Sequence, residues 1–336
     1  MKVAVLGDGG WGTALAMVLA RNGHRARAWG PSAEYVAELK ASRRNPKFLP
    51  GVEIPADVEW TSDPAEAMEG AEAVAVVVPS KYVGTVLERF AEDYRGAGSP
   101  PALSATKGFD ERTQKRMTEL IAGAWGTAAP AALSGPSIAP ETARGVPTAV
   151  TVACEDMAIA RLFQGTFTGD TFRAYTSDDV KGVELGGALK NVIALAAGVC
   201  DGLGFGHNAK AALITRGLAE MTRLGVALGA HPQTFSGLSG VGDLMVTCMS
   251  PASRNRSVGE RIGRGERAED ILSGMEQVAE GVWTCGTALE LARRAGVPVP
   301  VMEQVDAIVR GGKAPQEAVL ELMRREARPE RDATEP

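Results

Sequence analysis

Short apolar runs and helical patterns alternate through the first half of the chain. Residues 2–6 form an apolar strand, and residues 13–20 are good helix formers that end before Asn22-Gly23. Further apolar or β-branched runs that are typical of strands occupy residues 25–29, 73–78, 102–105, 131–134 and 148–153. The first two strands should be parallel, because a helix connects them. This alternation predicts a doubly wound α/β sheet.

The pattern changes near residue 180. From Val183 to about Glu326, apolar positions recur with helical spacing and no segment resembles a strand. A chain of 336 residues is long enough for two domains of about 100–200 residues each. We therefore expect an α/β domain over residues 1–180, an all-helical domain over residues 181–326 and a disordered charged tail over residues 327–336.

A glycine-rich segment links the first strand to the first helix. Gly7, Gly9 and Gly12 fit the pattern GxGxxG. The first glycine allows a tight turn, the second lets the backbone approach a pyrophosphate, and the third lets the helix pack against the strand. The helix N-terminus also attracts the anion. Because the motif lies between two predicted strands, it favours a Rossmann-like dinucleotide-binding domain over a chance glycine turn.

The second strand ends without the acid that commonly binds the ribose 2′-hydroxyl of NAD. Residues 25–32 read RARAWGPS, and the first acid after them is Glu34. This absence favours NADP, or use of both NADP and NAD, with Arg27 or Ser32 as a contact to a 2′-phosphate. An equally good interpretation makes Arg27 a solvated surface charge.

Lys190 lies in the apolar and small-residue segment 183–194, which reads VELGGALKNVIA. A lysine buried there would need a partner. Burial would favour the neutral amine, which suits acid–base chemistry. The alternative is a surface lysine that extends its ammonium to solvent, and the local sequence fits both.

A second polar group of residues follows in the same half. Residues 240–244 (GVGDL) and 253–256 (SRNR) combine small residues, a carboxylate and several donors, a set that suits a small phosphorylated ligand. A helix-capping loop would have a similar composition. Three further arginines are interleaved with glutamates and indicate a solvated helix face, namely Arg261, Arg264 and Arg267.

Composition narrows the function classes. Lys and Arg number 36 against 41 Asp and Glu, a net charge of −5 that argues against a nucleic-acid partner. The 4 cysteines are widely spaced and the 3 histidines are scattered, so we predict no metal site and a cytoplasmic, reducing location. We expect no signal peptide. The longest apolar stretch, 183–200, carries Glu184, Lys190 and Asn191, which argues against a membrane span.

Motifs that occur in order along the whole chain carry a family resemblance. They are residues 7–16, ATKG at 105–108, SGPS at 134–137, 185–191, DGLGFG at 201–206, LITRGLAE at 213–220, GDL at 242–244 and SRNR at 253–256. On these residues the chain, to about residue 325, resembles bacterial NAD(P)-dependent glycerol-3-phosphate dehydrogenases. The resemblance implies reversible reduction of dihydroxyacetone phosphate to sn-glycerol 3-phosphate, the precursor of the phospholipid backbone, and is compatible with a homodimer.

The resemblance also implies roles for individual residues. Lys190 matches the catalytic lysine, which protonates the forming alkoxide during reduction and accepts the proton during oxidation. The substrate-binding set is Lys107, Gly135, Ser137, Lys190, Asp243, Ser253, Arg254 and Asn255. The cofactor-binding set is Gly7, Gly9, Gly10, Trp11, Gly12, Lys107, Ala139, Arg254, Val278 and Glu280. Two positions depart from the family pattern: Gly10 replaces a common serine, and Pro31 replaces a polar or basic residue.

The sequence also leaves two other functions open. One is a related two-domain NAD(P)-dependent reductase of another hydroxy acid or keto acid, against which Lys190-Asn191 and residues 253–256 argue. The other is a non-catalytic dinucleotide sensor, which would keep the glycine loop but would have no need of Lys190 or Asp243.

Overall fold

The computed structural model describes residues 1–275, 279–327 and 329–330. It divides into two units, Met1–Glu184 and Leu185–Pro336. The strands all lie in the first unit: β1 (Lys2–Leu6), β2 (Arg25–Trp29), β3 (Arg44–Asn45), β4 (Leu49–Glu53), β5 (Val58–Thr61), β6 (Ala73–Val76), β7 (Ala102–Ser104), β8 (Ala131–Ser134), β9 (Thr148–Ala153) and β10 (Phe172–Ser177).

Eight of these strands form one sheet in the order β10-β9-β8-β7-β6-β1-β2-β5. Its neighbours are parallel except for β8 and β9, which are antiparallel. The predicted doubly wound sheet is therefore confirmed, and so is the parallel pairing of the first two strands. Two strands that the hydrophobic pattern did not predict, β5 and β10, lie at the two edges of the sheet, and polar residues interrupt both of them. The short antiparallel pair β3–β4 was not predicted either.

Helices cover both faces of this sheet. In the first unit they are α1 (Gly10–Arg21), α2 (Ala33–Ser42), α3 (Pro64–Met68), α4 (Ser80–Arg89), α5 (Ala91–Gly96), α6 (Met117–Trp125), α7 (Ala139–Ala143) and α8 (Met157–Phe167). Alternate residues of β1 point into different layers of core: Val3 and Val5 pack in one, and Ala4 and Leu6 in the other. Burial of both faces explains why β1 and β6 read as continuous apolar runs.

All regular secondary structure in the described residues of the second unit is helical, as the sequence predicted. A long helix, α9 (Val180–Gly202), begins just before the division between the units. It is followed by α10 (His207–Ala227), α11 (Pro232–Phe235), a π-helical turn (Leu238–Gly242), α12 (Asp243–Met249), α13 (Arg254–Gly263), α14 (Ala268–Ser273), α15 (Glu280–Ala295), α16 (Pro300–Val309) and α17 (Pro315–Met323). By length and composition α9 could cross a membrane, but the apolar window is 100% buried inside the protein.

Helices α9 and α13 meet at their backbones. A Cβ at Gly198 of α9 would collide with the carbonyl oxygen of Arg256, and a Cβ at Gly259 of α13 would collide with that of Leu195. Any larger residue at either glycine would push the two helices apart. This contact sets the spacing between the residues that α9 and α13 present.

Glu220 of α10 is buried and binds the start of α16. Its carboxylate accepts hydrogen bonds from the backbone N–H groups of Val301 at 2.8 Å and Met302 at 3.2 Å. Burial raises the pKa of Glu220 to about 7, although these two hydrogen bonds and Arg223 favour the charged form. The group therefore titrates well above a carboxyl in an unfolded chain.

We predict that Glu220 makes the protein less stable as pH rises from about 4.5 to about 7. In that window the folded chain retains a proton that the unfolded chain has lost, so the free energy of unfolding falls with pH, by ~1–3 kcal/mol in all. The Glu220→Gln variant lacks this titration. The melting temperature of the variant minus that of the wild type should therefore be larger at pH 8 than at pH 5. A difference that stays constant, or that shifts towards the wild type, would contradict the assignment.

Candidate active site

The glycine loop joins β1 to α1 in the first unit. Gly7 has φ +142°, a conformation that side chains rarely adopt, and a Cβ there would lie 3.0 Å from the carbonyl of Val77. The space beside Gly9 is open, with nothing within 4 Å of where a Cβ would lie. A Cβ at Gly12 would collide with the carbonyl oxygen of Gly7. The three glycines thus provide the turn, the open approach and the close packing that a dinucleotide loop needs.

The start of α1 suits an anion. Its N-cap is Gly9, which offers no side chain to the first turn of the helix. The indole Nε1 of Trp11 is buried and has no hydrogen-bond partner among the described residues. Ala139 begins α7, and its Cβ lies 3.8 Å from where a Cβ of Gly10 would be. These features fit the pyrophosphate of a dinucleotide, held by the backbone of the loop.

The structure explains one departure from the family pattern. The carbonyl oxygen of Phe48 occupies the place that a Cβ of Gly10 would take. A serine at position 10 would therefore require the segment between β3 and β4 to move. The other departure, Pro31, is exposed and precedes Ser32, the N-cap of α2.

Arg27 and Ser32, the two residues suggested for a 2′-phosphate, already have protein partners. The guanidinium of Arg27 donates to Glu59 at 2.8 Å and to Glu69 at 3.2 Å, and its side chain is only 11% exposed. The hydroxyl of Ser32 accepts a hydrogen bond from Tyr35 N at 3.2 Å. Arg27 is therefore neither a solvated charge nor an uncommitted phosphate ligand.

Three predicted residues meet beyond the ends of β7 and β8. Lys107 Nζ donates to the carbonyl oxygen of Gly135 at 3.0 Å and to Ser137 Oγ at 3.3 Å. Ser137 Oγ also donates to the carbonyl of Gly135 at 2.8 Å. Because β7 and β8 are parallel neighbours, their carboxyl ends bring these residues to one edge of the sheet. This is where open α/β sheets bind ligands.

Lys190 is buried in the second unit. It is 5% exposed and donates to Asp243 Oδ1 at 2.6 Å and to Thr247 Oγ1 at 2.6 Å. Asp243 is itself only 1% exposed. The alternative of a lysine extended to solvent is therefore wrong. Sequence reasoning missed Thr247, although its spacing of four residues from Asp243 on one helix was the available signal.

A π-helical turn positions Asp243. The turn Leu238–Gly242 ends immediately before α12, whose first residue is Asp243. The backbone of Ser239 in this turn contacts Gly186 of α9 so closely that a side chain at 186 would not fit. Since Lys190 lies one helical turn after Gly186, the same close approach brings the lysine to Asp243.

Asn255 connects three helices. Its Nδ2 donates to Asn191 Oδ1 of α9 at 2.9 Å, and its Oδ1 accepts from the backbone N–H of Gly281 in α15 at 2.9 Å. Asn255 is 7% exposed. Both ends of its amide are therefore bound to protein, which favours a supporting role over a direct substrate contact.

Residues 253–256 separate into different roles. Ser253 caps α13 by accepting from Arg256 N at 3.3 Å, as the capping alternative predicted. Arg256 itself is paired with Asp201 at 2.7 Å. Arg254 keeps an exposed surface; surrounding protein lowers the pKa of its guanidinium, and the charge of Glu280 opposes this. Of the two arginines, Arg254 is the one that a ligand can reach.

The remaining predictions concern a metal site, two cofactor contacts, the C-terminal tail and the arginines near α13. Within residues 1–275, 279–327 and 329–330, no group of three His, Cys, Asp or Glu side chains could hold a metal ion. Val278 lies outside the described residues, as does most of the predicted tail 327–336. Glu280 begins α15. The three arginines predicted to share one helix face do not do so, because only Arg261 lies in α13, while Arg264 is its C-cap and Arg267 is the N-cap of α14. All three reach solvent and pair with glutamates.

The parallel sheet and the glycine loop are those of a dinucleotide-binding protein, and a helical unit follows the sheet. Family models described as the N-terminus and the C-terminus of NAD-dependent glycerol-3-phosphate dehydrogenase match residues 2–160 and 179–320. The chain belongs to this family.

Two named relatives and one solved structure are similar to the chain over almost its whole length. A protein of Citrifermentans bemidjiense named "Glycerol-3-phosphate dehydrogenase [NAD(P)+]" is 48% identical over 339 residues, 98% of each chain. One of Koribacter versatilis with the same name is 48% identical, over 96% of this chain and 97% of its own. The crystal structure of glycerol-3-phosphate dehydrogenase from Coxiella burnetii matches with a TM-score of 0.91 at 36% identity, over 96% of this chain and 99% of that chain.

Proposed function

We propose that the chain catalyses the reversible reduction of dihydroxyacetone phosphate to sn-glycerol 3-phosphate with NADH or NADPH, and so supplies the backbone of phospholipids. The observation that carries this proposal is the buried ammonium of Lys190, held 2.6 Å from Asp243. Relatives 48% identical over almost the whole chain bear the matching name. A dinucleotide sensor would not need this ion pair, and the family match gives no support to another hydroxy-acid substrate.

The chemistry divides between cofactor and protein. The nicotinamide, when bound, supplies a hydride to the ketone carbon of the substrate. Lys190 stabilises the negative charge that develops on the ketone oxygen and donates a proton to it. In the reverse direction the lysine accepts that proton. Asp243 and Thr247 fix the direction of Nζ, and the carboxylate favours the charged ammonium that reduction requires.

Arg254 is the proposed ligand of the substrate phosphate. A guanidinium can bind phosphate through two parallel hydrogen bonds, and Arg254 has an exposed surface. Ser253 and Asn255 support it from either side, one as the cap of α13 and the other as the link to α9 and α15. We assign Lys107, Gly135 and Ser137 to the substrate as well, with Lys107 also near the cofactor.

The cofactor set follows from the glycine loop and from the family resemblance. We assign Gly7, Gly9, Gly10, Trp11 and Gly12 to the dinucleotide, together with Lys107, Ala139, Arg254, Val278 and Glu280. Residues 1–180 would form the dinucleotide-binding domain and residues 181–326 the substrate domain. A cytoplasmic location fits four buried, free cysteines. A homodimer remains a prediction.

We predict that Lys190→Ala lowers kcat for dihydroxyacetone phosphate reduction by at least ~100-fold, because general acid catalysis is lost. Binding of NADH, measured by isothermal titration calorimetry, should change little, since the glycine loop is untouched. Lys181→Ala removes an exposed lysine from the same helix and should leave kcat unchanged. Thermal melting checks that the buried Asp243, left without its partner, has not unfolded the variant. Near-normal turnover of a folded Lys190→Ala would overturn the assignment.

We also predict that Arg254→Gln raises KM for dihydroxyacetone phosphate by at least ~10-fold, the value of one charge-assisted hydrogen bond. The variant should lose much less with unphosphorylated dihydroxyacetone, because that ketone has no phosphate to bind. Arg264→Gln removes an exposed arginine at the C-cap of the same helix, is the matched control and should leave KM unchanged. Equal losses with both ketones would count against a phosphate contact.

A further inference from the structure

Asp8, the residue between the first two glycines of the loop, reaches the end of the second strand. A Cβ at Gly30 would lie 2.5 Å from Asp8 Oδ2 and 2.9 Å from Asp8 Cγ. Gly30 is the first residue after β2, which is paired in parallel with β1. The carboxyl group of Asp8 therefore fills the space from which a side chain at position 30 would project.

This is the place where a dinucleotide site commonly carries its ribose-binding acid. In such sites an Asp or Glu at the end of the second strand binds the 2′-hydroxyl of NAD. Residues 25–32 contain no acid, but the neighbouring strand supplies one through Asp8. We propose that Asp8 selects NAD over NADP, by accepting hydrogen bonds from the adenosine ribose and repelling a 2′-phosphate. This inference rests on the proposed function and reverses the preference for NADP suggested by the sequence pattern.

The loop is built to hold Asp8 in place. Asn45, fully buried between the loop and α2, donates to the carbonyl oxygen of Asp8 at 2.7 Å and to Thr13 Oγ1 at 2.8 Å. Thr13 Oγ1 in turn donates to the carbonyl oxygen of Gly9 at 3.0 Å. The hydroxyl of Tyr35 donates to Asn45 Oδ1 at 2.6 Å. The main chain on both sides of the Asp8 side chain is thus fixed before any ligand binds.

Two basic residues near this position, Arg27 and Lys47, bear differently on the choice of cofactor. Arg27, the basic residue on β2, is paired with Glu59 and Glu69. Burial raises the pKa of the Asp8 carboxyl, while its own backbone hydrogen bond and the positive charge of Lys47 lower it. Lys47 is the competing candidate for a 2′-phosphate, and its ammonium lies 5.1 Å from the centre of the Phe48 ring. The test must therefore separate Asp8 from Lys47.

The experiment measures equilibrium dissociation constants of NADH and NADPH by isothermal titration calorimetry for the wild type and for Asp8→Asn. The wild type should bind NADH more tightly. Asp8→Asn keeps the shape of the side chain and removes its charge. It should lower the Kd for NADPH divided by the Kd for NADH by at least ~10-fold, mainly because NADPH binds more tightly. Asp170→Asn removes an exposed acid just before β10, at the opposite edge of the sheet, and should leave the ratio unchanged.

The outcomes distinguish a failure of the role of Asp8 from a failure of the proposed function. A ratio that Asp8→Asn changes by less than twofold would overturn the role of Asp8. So would a wild-type preference for NADPH that disappears in Lys47→Gln, because Lys47 would then recognise the 2′ position. Failure of the wild type to bind either nucleotide would instead refute the proposed function. Because the ratio compares two ligands on one protein, a general loss of fold would not imitate the expected result.

Discussion

The ion pair between Lys190 and Asp243 is the main physical constraint on the candidate catalytic residues of the second unit. Both residues are almost fully buried, and neither charge could stay there alone. Removal of one partner from such a pair costs ~3–5 kcal/mol, whereas the intact pair adds little to stability. A pair of this kind is better explained by chemistry than by stability. The pair can form only because α9 and α12 lie close together.

Glycines at the helix contacts let α9 approach its neighbours this closely. Gly186 lets α9 meet the π-helical turn before Asp243, and Gly198 with Gly259 lets α9 meet α13. One helix thus presents Lys190 to the carboxylate and Asn191 to Asn255. The 40 glycines of the chain, which composition alone could not explain, include those that set these helix separations. In the first unit, the missing side chain at Gly9 likewise leaves room for an anion to approach the backbone of the glycine loop.

Sequence reasoning succeeded where one local pattern determines the outcome. The glycine spacing between an apolar strand and a helix was sufficient to predict the loop and the parallel pairing of β1 with β2. It could not decide whether Lys190 was buried, because its partner Asp243 is 53 positions away along the chain. The partners of Arg27 were also invisible, since Glu59 lies on β5, a strand that the pattern did not predict. The position of Asp8 beside Gly30 depends on the conformation of the Asp8 side chain, which the pairing of β1 with β2 does not determine. The edge strands β5 and β10 were missed because polar residues interrupt them: β5 reads VEWT and β10 reads FRAYTS.

The pH dependence of dihydroxyacetone phosphate reduction, compared between the wild type and Asp243→Asn, tests most directly whether Lys190 and Asp243 work as a pair. If the carboxylate holds Lys190 as the charged proton donor, its loss favours the neutral amine. The alkaline limb of the kcat profile should then move to lower pH in the variant, with NADH binding retained. An alkaline limb at the same pH in both proteins would contradict the assignment of Lys190 and Asp243 as a functional pair.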